Sequence, residues 1–205
     1  MSNRLPRIYI PRRRKIMNYG ESVFKEKANR RARRIWIIFA ALLSANYGAD
    51  VANHLRGTTY YIIFLALCWL PVITGEILLR VKGFDTDQYK FNLVIGYGIF
   101  YTFVLCTTES PIAFTYILPV TSLLVLYKSI RFMVSCGIAN SLIIVGGAAY
   151  RISQGFNSAS DMKNYQLELA CIILCYICSV MSIRHMLQQT ASRQTFIVLS
   201  RLWNR

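Results

Sequence analysis

The chain has 205 residues, 55% of them hydrophobic and only 16% charged, with 24 Lys and Arg against 9 Asp and Glu for a formal charge of +15. A soluble domain carries charge at roughly a quarter of its positions, so a soluble fold has too little polar surface to cover this much apolar side chain. The cationic excess attracts any polyanion, but the apolar residues come in blocks near the length that crosses about 30 Å of hydrocarbon at 1.5 Å per residue, and that points to lipid.

Residues 1–34 hold 12 of the Lys and Arg and end in "NRRARR" (Asn29–Arg34), directly against the first apolar block. A nucleic-acid binder spreads its cations over a folded surface among aromatics, whereas this acid-poor cluster stops where the apolar run starts. It reads as a basic cytoplasmic N-terminal tail that anchors topology, and no nucleic-acid partner is expected. Met17 is an alternative start, which would leave "MSNRLPRIYIPRRRKI" as an extension without structural duty. Six blocks follow: Ile35–Asn53, Thr59–Leu79, Phe91–Thr108, Pro111–Tyr127, Phe132–Tyr150 and Tyr165–Ile183. The connections "TTESP" and "YKSIRF" are short enough only for reversals between antiparallel helices. The blocks lack the alternation of a membrane barrel. The expected fold is all-α, a polytopic bundle of six transmembrane helices over residues 35–183, with a short cytoplasmic C-terminal tail at 184–205.

With the N-terminus inside, Lys and Arg number 12 before Ile35, 3 in Arg80–Lys90, 2 in Lys128–Arg131 and 4 after Ile183, so that 21 of 24 lie on one side. Only Arg56, Arg151 and Lys163 fall outside, the asymmetry expected of short cytoplasmic loops. The basic region is too long for a cleaved signal peptide, and the expected address is a bacterial inner membrane with both termini cytoplasmic.

No residue pattern points to catalysis. There is no GxSxG, HExxH, P-loop or Gly-rich dinucleotide turn, and His54 and His185 fall at opposite ends of the bundle. No enzyme activity, catalytic residue or cofactor is expected. Cys171, Cys175 and Cys178 lie at i, i+4 and i+7 and suggest a soft-metal site, yet cysteine packs as a small hydrophobe and no further ligand accompanies the trio, so no metal is expected. Four acids stand out: Asp50, Glu109, Glu168 and Asp161. Acids inside membrane segments are costly and mark functional sites. Glu168 heads the cysteine stripe, which turns it inward. With Asp50, Glu109, Tyr61 and Tyr165 it forms a candidate ligand-binding set between the first and sixth helices, facing outward, for an unknown small molecule. The competing reading is an aromatic belt with interfacial acids paired to Arg56, Arg151 or Lys163. Glu76 is expected to snorkel or to pair with Arg80. On the first helix, Ala40, Ser44, Gly48 and Ala52 form one row of small residues and Ala41, Ala45 and Ala49 another, a spacing that brings helices close. Ala41, Ser44, Ala45, Gly48 and Ala49 are the expected packing residues. The loop "RISQGFNSASDMKN" (Arg151–Asn164) is a solvated linker or a lid.

The stretches "VIGYGIFYTFVL" (Val94–Leu105), "FTYILPVTSLLVLYK" (Phe114–Lys128), "CGIAN" (Cys136–Asn140) and "NSASDMKNYQLELACIILCY" (Asn157–Tyr176) resemble the N-terminal six-helix membrane module of clostridial-type methyl-accepting chemotaxis receptors. Related modules join other outputs such as diguanylate cyclases. The resemblance spans about Phe24 to Gln188 and implies a sensory, signal-transducing membrane domain, as a homodimer or with a separate signalling subunit. Such receptors continue into a long cytoplasmic coiled coil, whereas only 22 residues follow Ile183 here, so the expectation is a truncated or stand-alone module. The alternative is a six-helix transport component resembling the substrate-binding subunit of an energy-coupling vitamin importer, with Ala41, Ala45 and Ala49 against a partner.

Overall fold

A computed structural model of the chain describes residues 12–54, 57–108 and 111–203. Among them the regular elements are all helical: α1 (Arg12–Ala52), α2 (Thr58–Lys82), α3 (Gln88–Thr107), α4 (Ile117–Leu124), α5 (Ile130–Ser153) and α6 (Ala159–Trp203). Single 3-10 segments, Pro111–Tyr116 and Val125–Tyr127, flank α4. Five helices, α1, α2, α3, α5 and α6, are long and apolar enough to cross a membrane, which points to a multi-pass membrane protein.

The fourth block departs from the expected long helix, since only a shorter apolar helix occupies it. Pro119 is the cause visible in the sequence: proline is tolerated in the first turn of an α-helix and breaks its interior, so α4 starts at Ile117 and the residues before it wind as 3-10 helix. The 3-10 rise of about 2.0 Å per residue stretches residues 111–127 to about 30 Å. Hydrogen bonds tie the chain to other helices just before this segment and at its end. Arg151 donates to the carbonyl of Thr108, just before it, and the Tyr127 hydroxyl donates to Asn29 Oδ1 at 2.9 Å, just at its end. These two residues name the two ends of the molecule, the Arg151 end and the Asn29 end.

Helix α1 begins at Arg12 rather than Ile35, and α6 continues to Trp203 rather than stopping at Ile183, so the boundaries expected at 34 and 183 fall inside continuous helices. The polar half of α1 is held by i,i+4 ion pairs, Glu21–Lys25 at 2.9 Å and Glu26–Arg30 at 2.8 Å. It is held also by a buried stripe, Ala28, Ala32, Trp36, Ala40, Leu43 and Tyr47, which keeps one face against the bundle from the polar into the apolar half.

Helices α2 and α3 meet where Gly96 leaves room for the Pro71 ring, and α5 and α6 meet where Gly137 faces the Tyr176 ring. Aromatic side chains fill the middle. Tyr97 sits with Trp36 at 5.4 Å and with Tyr101 at 5.7 Å between ring centroids, and Tyr47 stacks on Phe64 at 3.9 Å. Of the expected packing residues on α1, Ser44 and Gly48 face α2. The Ser44 hydroxyl accepts from Trp69 Nε1, its carbonyl accepts from the Tyr61 hydroxyl, and the Tyr61 ring tip lies where a Cβ on Gly48 would go. Ala41, Ala45 and Ala49 do not pack within the chain: they are exposed. Two rows one residue apart diverge by about 100° around a helix, so only one can meet α2.

Candidate functional site

At the Arg151 end, α5 ends as Ser153 gives way to a turn through Gly155, whose φ of 95° lies in the left-handed region that glycine adopts freely. The chain then enters α6, where the Ser158 hydroxyl and backbone N–H both donate to Asp161, capping the helix start. Tyr165, one turn later, donates to the Phe156 carbonyl at 3.1 Å and ties the loop to α6. One further turn brings Glu168 to the interior, only 4% exposed.

Glu168 and Tyr165 share a closed site with Leu105 of α3 and Ile144, Gly147 and Arg151 of α5. Gly147 admits the α3 side of this contact, because its missing Cβ leaves Leu105 at ordinary van der Waals distance. Arg151 lines this site beside Glu168. The same arginine also lines a more open cavity of about 260 Å³, with Cys106, Thr107, Thr108, Gln154 and Phe156. Tyr60 reaches this rim through its hydroxyl contact with Thr107, at 3.1 Å. Arg151 therefore stands between a polar cavity and a buried carboxyl, and a molecule entering the cavity meets the guanidinium and the Gln154 amide, since the Thr107 hydroxyl donates to Phe103 and the Thr108 hydroxyl is buried. That donor set suits a small polar or anionic ligand.

The inward face of α6 is not the cysteine row. Glu168, Ile172, Tyr176 and Ile183 are buried, whereas Cys171 and Cys175 are half-buried at the edge and Cys178 is exposed. Glu168 turns into the bundle with the isoleucine–tyrosine stripe beside the cysteines. Among the described residues no group of three His, Cys, Asp or Glu is placed to hold a metal.

Of the expected ligand set, the structure brings together Glu168 and Tyr165. Neither Asp50 nor Tyr61 lines that site: Asp50 lies near the end of α1, and Tyr61 is committed to the α1–α2 contact through Ser44. The pairing of the first and sixth helices is replaced by α6 against α5 and the fourth segment. Glu109 lies outside the described residues. Glu76 pairs with Arg80 at 3.2 Å, as expected, and with Arg33, which approaches in a fork at 2.6 and 3.1 Å.

Sequence reasoning missed the residue that organises the other end. Asn29 is 1% exposed; its amide donates to the carbonyls of Phe84 and Thr86, each at 2.8 Å, while its oxygen accepts from Tyr127. One side chain thus joins α1, the α2–α3 loop and the end of the fourth segment. Within "NRRARR" it was hidden among arginines. The Asn140–Tyr176 bond, 2.6 Å, was missed too, though an asparagine inside an apolar block signals an interhelical bond.

No protein family, no characterised protein and no solved structure matches the chain.

Proposed function

We propose that the chain is a sensory membrane module of six crossings that takes a small polar ligand at the Arg151 cavity and passes the event along α6. The observation that carries this is the continuity of α6, 45 residues that run from Ala159 through Tyr165 and Glu168 to Trp203. At 1.5 Å per residue the helix is about 67 Å long, more than twice the hydrocarbon thickness, so it links one end of the bundle to a stretch well beyond the other. The resemblance to chemotaxis-receptor membrane modules supports the same role. The distribution of Lys and Arg supports an orientation with the Asn29 end and both termini in the cytoplasm, in a bacterial inner membrane.

A transport role has one observation in its favour. Ala41, Ala45 and Ala49 form an exposed row of small residues, the surface a partner helix would approach.

Reporter fusions after Arg205 and within Arg151–Asn164 test the orientation: activity of the first on the outer side refutes it. Thermal-shift screening of small carboxylates and amino acids tests the ligand site. A stabilising ligand whose effect disappears in Arg151→Gln and weakens in Glu168→Gln is expected; a ligand equally effective on both variants places its site elsewhere.

A further inference from the structure

We infer that the Asn29 end carries a binding site for an anionic phospholipid, built by Lys27, Arg31 and Lys128. These three cations surround a cavity of about 370 Å³ whose apolar walls include Phe24, Leu126 and Met186. It lies between α1, the end of the fourth segment and α6, distant from the cavity at Arg151.

Several cations at this end, Arg34, Lys82 and Arg131 among them, have no ion pair with a described residue, but Lys27, Arg31 and Lys128 are the three that line one cavity. Lys25 is held by Glu21 and Asp87, Arg30 by Glu26, Arg33 and Arg80 by Glu76, and Lys90 by Asp87. Lys27, Arg31 and Lys128 make no ion pair with any described residue. Lys128 instead lies over the Phe24 ring, 5.4 Å from its centroid, which holds the ammonium at the cavity mouth. Three unneutralised cations around one hollow form a site for a phosphate-type anion.

The source of that anion follows from the face of α1 that carries it. Continuing from Lys27 and Arg31 at helical spacing come Ile35, Ile38 and Leu42, all exposed. Cations at one level with an unbroken apolar stripe directly above match the order of a phospholipid, headgroup phosphate first and acyl chain after, and basic pockets at this depth hold anionic headgroups. A free phosphate would use the cations and leave the stripe unused. The inference depends on the bundle crossing a bilayer and not on what the Arg151 cavity binds.

The test uses the full chain purified in a neutral detergent. Phosphatidylglycerol, phosphatidylcholine of the same acyl chains, and inorganic phosphate are each added, with retained lipid read by native mass spectrometry and stability by thermal unfolding. Phosphatidylglycerol alone should be retained and raise the unfolding temperature. At about 1 kcal/mol for each interfacial cation, Lys128→Gly should weaken retention about fivefold and the Lys27→Gln/Arg31→Gln/Lys128→Gln chain about a hundredfold, with Lys163→Gln unchanged. Lys128 has a φ of 50°, so glycine there relieves the backbone and separates lost binding from lost folding. Equal retention of phosphatidylcholine, equal stabilisation by inorganic phosphate alone, or undiminished binding in the triple variant would each overturn the inference. Co-flotation with phosphatidylcholine vesicles reads membrane insertion separately.

Discussion

Of the described glycines, Gly96 leaves the least room for a Cβ, and it gives the sharpest mutational test. A Cβ placed on Gly96 would lie 2.3 Å from Pro71 Cβ and 2.5 Å from its Cγ, whereas carbons in contact sit about 3.5–4.0 Å apart, so the overlap exceeds 1 Å. The Pro71 ring cannot swing away as a flexible side chain would, because it is part of the α2 backbone. Helices α2 and α3 must therefore separate by roughly the overlap. That displacement also pulls on Asn92, which donates to the Pro71 carbonyl at 2.9 Å and accepts from Thr74 at 3.0 Å; an added ångström breaks the first of these bonds. Overpacking costs about 1–3 kcal/mol and an interhelical hydrogen bond in a membrane about 0.6–1.7, against which alanine recovers about 1 in helix propensity. The net expectation for Gly96→Ala is a loss of about 0.6–3.7 kcal/mol.

Gly146 supplies the control. It is also helical, in α5, but nothing lies within 4 Å of a Cβ there, so Gly146→Ala should be neutral or stabilising by up to about 1 kcal/mol. The two variants make the same chemical change, and their difference isolates the α2–α3 contact. Both are compared with the unmodified chain by denaturant unfolding in a mild detergent, followed by far-ultraviolet circular dichroism. If Gly96→Ala and Gly146→Ala agree to within about 0.5 kcal/mol, the helices do not approach as described and the overlap calculation fails.

Asn29→Ala leaves two carbonyls and a tyrosine hydroxyl without their partner and should cost about 2–3 kcal/mol in the same unfolding assay; Asn29→Asp, which turns a carboxylate toward both carbonyls, should cost more, and the reverse order would refute the assignment. Burial tends to push the Asp87 carboxyl up, but hydrogen bonds from Lys25 and Lys90 outweigh it and hold the group below its usual range. Its contribution is therefore present above the unfolded value of about 4 and lost as pH falls from there through the folded value, by less than about 1 kcal/mol because the pairs are exposed. Acid titration of stability between pH 5 and 2 should show that slope reduced in Asp87→Asn, and an identical slope would show that the pairs do not form.

The apolar blocks announced the helices because hydropathy is local, and the lengths of α2, α3 and α5 follow from it closely. The polar halves of α1 and α6 escaped because no apolar run marks them. A signal was present in Glu21–Lys25 and Glu26–Arg30, whose spacing supports a helix without hydrophobicity, and in the four-residue recurrence of Ala28, Ala32, Trp36 and Ala40. Glu168 could be placed inside from its position in the sixth block, but its neighbours could not: depth along the membrane is legible in one sequence, lateral order around a bundle is not. Asp50 and Glu168 take similar places in their apolar blocks, yet α6 lies on α5 and the fourth segment. Of the two small-residue rows on α1, nothing local told which would face α2; the partners that decide it, Tyr61 and Trp69, sit on the other helix.

The middle of the bundle restricts how the two ends communicate. Trp36 Nε1 and Tyr97 Oη are buried there without hydrogen-bond partners among the described residues, and under the proposed signalling role the event travels as a displacement of α6. Such a shift has to slide the Tyr176 ring past Gly137, 3.0 Å from where a Cβ would stand, and break the 2.6 Å bond from Asn140 to Tyr176. An interhelical bond of this kind is worth about 0.6–1.7 kcal/mol in a membrane, no more than the 1–3 kcal/mol that coupling between two sites commonly supplies. The Asn140–Tyr176 bond is thus strong enough to hold one register of α6 against α5 and weak enough for a ligand to release. Tyr176→Phe removes the bond and keeps the ring against Gly137. Spin labels at Arg131 and His185, both exposed near the Asn29 end, in a chain whose six cysteines are replaced, should then report a second distance population absent from the chain with Tyr176. A single unchanged distance in both would mean that the bond does not hold the register, and that α6 is fixed by packing alone.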